Sequence, residues 1–125
     1  MRLARRLRAQ RLETGHTLTQ LAALGTVERH GPISPGDLAA HERVQPPSMT
    51  RVVSRLEDDG LLARTPHPRD GRQQLLTITA AGRALLAADR RRRDAWLSQQ
   101  LAGLTQEEVA AVVAALPLLE RLASV

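Results

Sequence analysis

The sequence predicts a mostly helical domain that carries one small β-hairpin. Three observations predict it. Apolar residues recur at helical spacing along much of the chain, helix-start and helix-stop signals bracket those stretches, and between residues 61 and 79 the pattern changes to short runs of Leu, Thr and Ile around an Asp-Gly turn. A length of 125 residues is enough to bury a core and too short for two independent ones.

The elements follow in order. Residues 2–13, with Leu3, Leu7 and Leu12 among arginines, read as a helix of good helix formers that Gly15 breaks. Thr17 with Gln20 has capping-box spacing and opens a second helix, whose Leu18, Leu21, Leu24 and Val27 share a stripe and which His30-Gly31-Pro32 ends. Ser34 is an N-cap candidate with Pro35 at the first helical position and Asp37 at the third, and Ile33 and Leu38 are placed for a hydrophobic staple. This third helix is short, because Arg43-Val44-Gln45-Pro46 interrupts it. Pro46 and Pro47 are tolerated only in a first turn, so a fourth helix starts there and runs to Gly60.

Met49, Val52, Val53 and Leu56 form the buried stripe of that fourth helix, which leaves Pro47, Ser48, Thr50, Arg51, Ser54 and Arg55 on or beside its polar, positive side. Residues 61–65 and 74–79 read as strands joined by Pro66-His67-Pro68-Arg69-Asp70-Gly71-Arg72, a loop with a basic tip. Thr79 caps a long helix over 80–102 that contains Arg90-Arg91-Arg92-Arg93, and Thr105 with Glu108 forms a second capping box. The last helix sets Val109, Val112, Val113, Leu116 and Leu119 on one side, and Pro117 is expected to kink or loosen it.

Composition narrows the function. There is no cysteine, hence no disulfide, thiolate zinc site or thiol switch, and no apolar run spans a bilayer. Residues 1–10 lack the apolar core of a signal peptide, so a cytoplasmic location is expected. All 18 basic residues are arginine against 13 acids, a net charge of +5. Residues 1–72 hold most of the excess, and arginine forks suit phosphate and guanine.

A short helix, a tight turn, a second helix polar on one side and a hairpin with arginines at its tip make a winged helix-turn-helix. The second helix can enter a major groove, where Ser48 and Thr50 are short donors and Arg51 and Arg55 can fork onto guanine or phosphate. Arg69 and Arg72 can follow the backbone into an adjacent minor groove. Arg64 in the first strand is a weaker candidate for a backbone contact, and the amino-terminal arginines and 90–93 fit solvated faces or ion pairs better than DNA.

Three segments carry a resemblance: Gly31-Pro-Ile-Ser-Pro-Gly-Asp-Leu-Ala; Pro47-Ser-Met-Thr-Arg-Val-Val-Ser-Arg-Leu-Glu-Asp-Asp-Gly-Leu-Leu; and Arg69-Asp-Gly-Arg-Gln-Gln-Leu-Leu-Thr-Ile-Thr-Ala-Ala-Gly. Together they resemble the MarR family of bacterial transcriptional regulators, over nearly the whole chain. The resemblance implies one domain over 1–125, with a DNA-binding region at 17–79 and dimerisation helices at 1–16 and 80–125. It implies a homodimer, commonly a repressor, on a pseudo-palindromic duplex site, with a small-molecule effector as a further partner. Ser48, Thr50 and Arg51 then meet the major groove, Arg72 the minor groove, and Asp70 positions the arginines through an ion pair.

His41-Glu42 suggests a metal ligand pair, but a site needs three or four converging groups, and none is expected. No Ser-His-Asp order, carboxylate pair or glycine-rich phosphate loop stands out, so neither an enzyme nor a cofactor is expected. Two rival readings remain open at this point: a winged-helix module that binds protein or RNA, and a small-molecule sensor with secondary DNA binding.

Overall fold

A computed structural model describes residues 2–9 and 15–124. The elements are α1 (Arg2–Ala9), α2 (Leu18–His30), α3 (Pro35–Glu42), α4 (Pro46–Asp58), β1 (Leu62–Pro66), β2 (Gln74–Ile78), α5 (Ala80–Ala102) and α6 (Gln106–Ala123). The chain divides into two compact units, residues 12–90 and residues 1–11 with 91–125, and the boundary falls inside α5.

In the unit of residues 12–90, three helices and the hairpin share one core. Leu24, Leu38, Val53, Leu56 and Leu76 are wholly buried, and Val27, Met49 and Leu62 nearly so. The expected caps hold this arrangement. Thr17 and Gln20 make both bonds of a capping box at 3.2 and 3.0 Å, and Ser34 Oγ accepts from Asp37 N at 3.1 Å ahead of Pro35. Ile33 and Leu38, the staple pair, both lie in the core.

Two helices of this unit end in the same way. At the end of α4, Gly60 N donates to Glu57 O at 2.9 Å and Leu61 N to Leu56 O at 2.9 Å, with Gly60 left-handed at φ 73°. At the end of α3, Arg43 N donates to Ala40 O at 3.3 Å and Val44 N to Ala39 O at 3.0 Å, with Arg43 left-handed at φ 53°. Both are Schellman turns, one closed by glycine and the other by arginine.

β1 and β2 pair antiparallel from Leu62↔Ile78 to Pro66↔Gln74, and Ile33 bridges to Leu76, which seats the hairpin on the core. The expected strand at 61–65 begins one residue later and extends to Pro66, and the second ends at Ile78, because Thr79 caps α5 instead. Thr79 Oγ1 accepts from Gly82 N at 3.1 Å and donates to Gly60 O at 2.7 Å.

In the other unit, α1 covers 2–9, and the remainder of the helix expected over 2–13 lies outside the described residues. Thr105 and Glu108 form the second capping box, at 3.1 and 3.0 Å. Pro117 lies inside α6, which continues to Ala123. Along α6 the apolar side chains are exposed: Val112 42%, Val113 58%, Leu116 48%, Leu119 52% and Leu122 73%.

Candidate nucleic-acid interface

The inward stripe of α4 fixes which residues point out. Met49, Val53 and Leu56 are buried and Val52 packs against the same core, so Pro47, Ser48, Thr50, Arg51, Ser54 and Arg55 are all exposed. The three-residue turn at 43–45 sets α4 directly after α3, the supporting helix. Gln45 is the N-cap of α4 without a side-chain cap bond.

Individual groups are not equally available. Among the described residues Arg51 makes no ion pair or side-chain hydrogen bond. Thr50 Oγ1 donates to Pro46 O at 3.0 Å, so its proton is committed to the helix and it faces out with an acceptor and a methyl group. This is back-bonding to the carbonyl one turn earlier, which sequence alone did not show. Arg55 Nε donates to Asp59 Oδ2 at 2.8 Å, and its side chain stays 53% exposed. His16 Nε2 lies 2.7 Å from the same oxygen. The hydrogen bond to Asp59 raises the Arg55 guanidinium above its usual value. The bonds from Arg55, then from His16, hold the Asp59 carboxyl below the usual carboxylate range.

The wing tip is held by its own side chains. His67 N donates to Gln73 O at 2.9 Å and Gln73 N to Asp70 O at 3.0 Å. His67 Nδ1 accepts from Arg69 N at 3.0 Å and Asp70 N at 3.2 Å, and Asp70 Oδ1 accepts from Arg72 N at 3.1 Å. Arg69, Asp70 and Arg72 are all exposed on this tip. The implied ion pair of Asp70 with the wing arginines is not found among the described residues. Asp70 instead forms an Asx turn, which orients Arg72 through its main chain, because a carboxylate two residues before an N–H finds that donor at almost no entropic cost.

Arg64 Nε donates to Glu57 Oε1 at 2.7 Å, which ties β1 to the outer side of α4. Arg90 Nη2 donates to Glu28 Oε1 at 2.7 Å. His67 was legible only as one histidine among four; its place between Pro66 and Pro68, two residues before a free N–H, was the available signal. Glu42 accepts from the Thr26 hydroxyl, and His41 stacks on His30 with centroids 4.7 Å apart. Among the described residues no group of three or more His, Asp or Glu is placed to hold a metal ion. No helix among them is long and apolar enough to cross a membrane.

Supporting helix, turn, outward-basic second helix and arginine-tipped hairpin define a winged helix-turn-helix. The family model described as MarR family matches residues 16–73. An HTH-type transcriptional regulator of Mycobacterium tuberculosis is 47% identical over 108 residues, 86% of this chain and 76% of that protein. The HTH-type transcriptional repressor MdtR of Bacillus subtilis is 32% identical over 95 residues, 76% of this chain and 61% of the repressor. A structure of an S. aureus MepR mutant bound to an oligodeoxyribonucleotide superposes with TM-score 0.77 at 21% identity, over 98% of this chain and 89% of that one, and shows the shared fold. The chain belongs to the MarR family and is an HTH-type transcriptional regulator.

Proposed function

We propose that this regulator binds double-stranded DNA as a homodimer, reads a pseudo-palindromic operator and represses transcription by occupying it. The observation that carries the reading is the outward side of α4. Ser48, Arg51, Ser54 and Arg55 lie opposite Met49, Val53 and Leu56, so burying the apolar stripe presents the donors to a groove. Arg51 and Arg55 act as forks on guanine or phosphate, and Ser48 as a donor beside them. Thr50 contributes an acceptor and a methyl group to the same groove. Pro47 pre-sets the first turn so that Ser48 enters the groove at a fixed angle.

The wing adds a second contact. Arg69 and Arg72, with Asp70 between them holding the turn, follow the backbone into the neighbouring minor groove. The fold shared with a MepR mutant whose structure holds an oligodeoxyribonucleotide is consistent with DNA as the partner, and the name of the MdtR relative supports repression. Dimerisation is supported by α6, whose exposed Val112, Val113, Leu116 and Leu119 need a partner surface to leave water. The site of action is the cytoplasm, where the duplex lies.

Binding of a labelled duplex and of single-stranded RNA of equal length, over a salt series, tests this function. The reading predicts duplex preference, two chains per site, and log K that falls linearly with log salt. Equal or tighter binding of RNA contradicts it.

A further inference from the structure

Arg43 closes the Schellman turn of α3 in the left-handed region at φ 53° and ψ 43°. At the equivalent place after α4 stands Gly60, at φ 73°. Glycine enters this region without a steric cost, whereas a residue with a Cβ does not. The same fold therefore closes the same turn twice, once with the cheap residue and once with a strained one. Strain retained at one position points to what its side chain does.

The surroundings leave the Arg43 guanidinium facing solvent. Arg43 is exposed and makes no ion pair or side-chain hydrogen bond among the described residues. The adjacent acid, Glu42, is occupied by the Thr26 hydroxyl, which also accepts from Arg29 Nη2 at 3.2 Å. Val44, the next residue, packs against the core and fixes the turn from beneath.

The neighbouring helix start explains the need for a cation here. The first four N–H groups of a helix have no partner within it and commonly hold a phosphate. At α4 these positions are Gln45, Pro46, Pro47 and Ser48, and the two prolines have no N–H. Half of the backbone donors that would meet a phosphate bordering the groove are therefore missing. Arg43 lies three residues before Pro46, in the turn that leads into this helix start.

We propose that Arg43 is a phosphate anchor of the DNA interface, replacing the backbone donors that Pro46 and Pro47 remove. The proposal rests on duplex binding through α4. It adds a contact to the DNA backbone, not to base edges, so Arg43 contributes affinity independent of sequence.

The test is Arg43→Gly, followed by thermal denaturation and by titration of specific and random duplexes over a salt series. The expected result is a rise in melting temperature together with weaker binding to both duplexes in the same proportion. The slope of log K against log salt should fall by about 0.9 for each phosphate released. Arg43→Lys, which keeps the charge and the Cβ, should retain most of the slope without the gain in melting temperature. If Arg43→Gly binds both duplexes with the wild-type slope, the anchor is overturned while duplex binding stands. If Arg43→Gly loses affinity but also melts lower than the wild type, the side chain acts through the fold and the anchor is again overturned. A wild type that binds no duplex overturns both this inference and the function on which it rests.

Discussion

Arg55 and His16, 39 positions apart in the sequence, meet on one oxygen: Asp59 Oδ2 accepts from Arg55 Nε at 2.8 Å and lies 2.7 Å from His16 Nε2. The carboxylate orients Arg55 at the far end of α4 and ties that end to the residue preceding the cap of α2. The proposed DNA contact of Arg55 would thus use a guanidinium whose Nε is already held by Asp59.

This contact predicts an acid dependence. The Asp59 carboxyl is held below its usual value in the folded chain, so its contribution is complete above the unfolded carboxylate value, about 3.9, and is lost as pH falls through the folded one. Asp59→Asn should therefore lower the melting temperature at neutral pH and converge on the wild type in acid. Calorimetry from about pH 7 down to about pH 2 reads this. A constant gap over that range would show that the ionised carboxylate is not the stabilising group.

On α4, Arg51→Ala should cost about 1–3 kcal/mol of binding and relax preference at one base position, as loss of a base-edge fork does. On the wing, Arg72→Ala should weaken all duplexes alike and lower the salt slope by about 1. Competition titrations with single-base operator variants separate the two patterns.

Asp70 sets charge against geometry. Removal of a carboxylate beside DNA should tighten binding if charge alone counts. Because Asp70 Oδ1 caps the Arg72 N–H, Asp70→Ala should instead weaken binding, and Asp70→Asn, which keeps an acceptor while removing the charge, should bind at least as tightly as the wild type. Anisotropy titrations of the three proteins on one duplex decide between the two accounts.

Gly82 at the start of α5 has no room for a side chain. A Cβ there would overlap the Leu61 carbonyl oxygen and lie 2.7 Å from Ile78 Cγ1. Gly82→Ala should cost about 1–3 kcal/mol of stability by forcing α5 off the foot of the hairpin. Denaturant titration measures it, and an unchanged midpoint would contradict the packing.

For assembly, Leu116→Glu places a charge in the middle of the apolar side of α6, where Leu116 is 48% exposed in the single chain. Sedimentation should give a two-chain mass for the wild type and a one-chain mass for the variant. Equal masses would remove the homodimer from the account.

Much of this was legible in the sequence where a local signal names its own partner. Thr17 with Gln20, Ser34 before Pro35, and Thr105 with Glu108 cap the helices that their spacing implied. The Met49, Val53 and Leu56 stripe likewise oriented α4, since burial follows helical period directly. What stayed hidden depends on conformations or partners that no local pattern announces. Arg43 ends α3 without the glycine that usually marks a left-handed cap, and Asp59 draws Arg55 from the helix it follows but His16 from the segment ahead of α2. Thr50 and Asp70 were visible as polar residues, yet which group each bonds is decided by backbone atoms two to four residues away.

The central claim, that α4 and the wing read duplex DNA for a two-fold assembly, is tested most directly by selection of bound sites from random duplex DNA at physiological salt. The account predicts enrichment of a two-fold symmetric motif with half-site centres about one helical turn apart. Binding that enriches no motif, and that disappears as salt is raised, would leave only the attraction of arginine for phosphate and would contradict it.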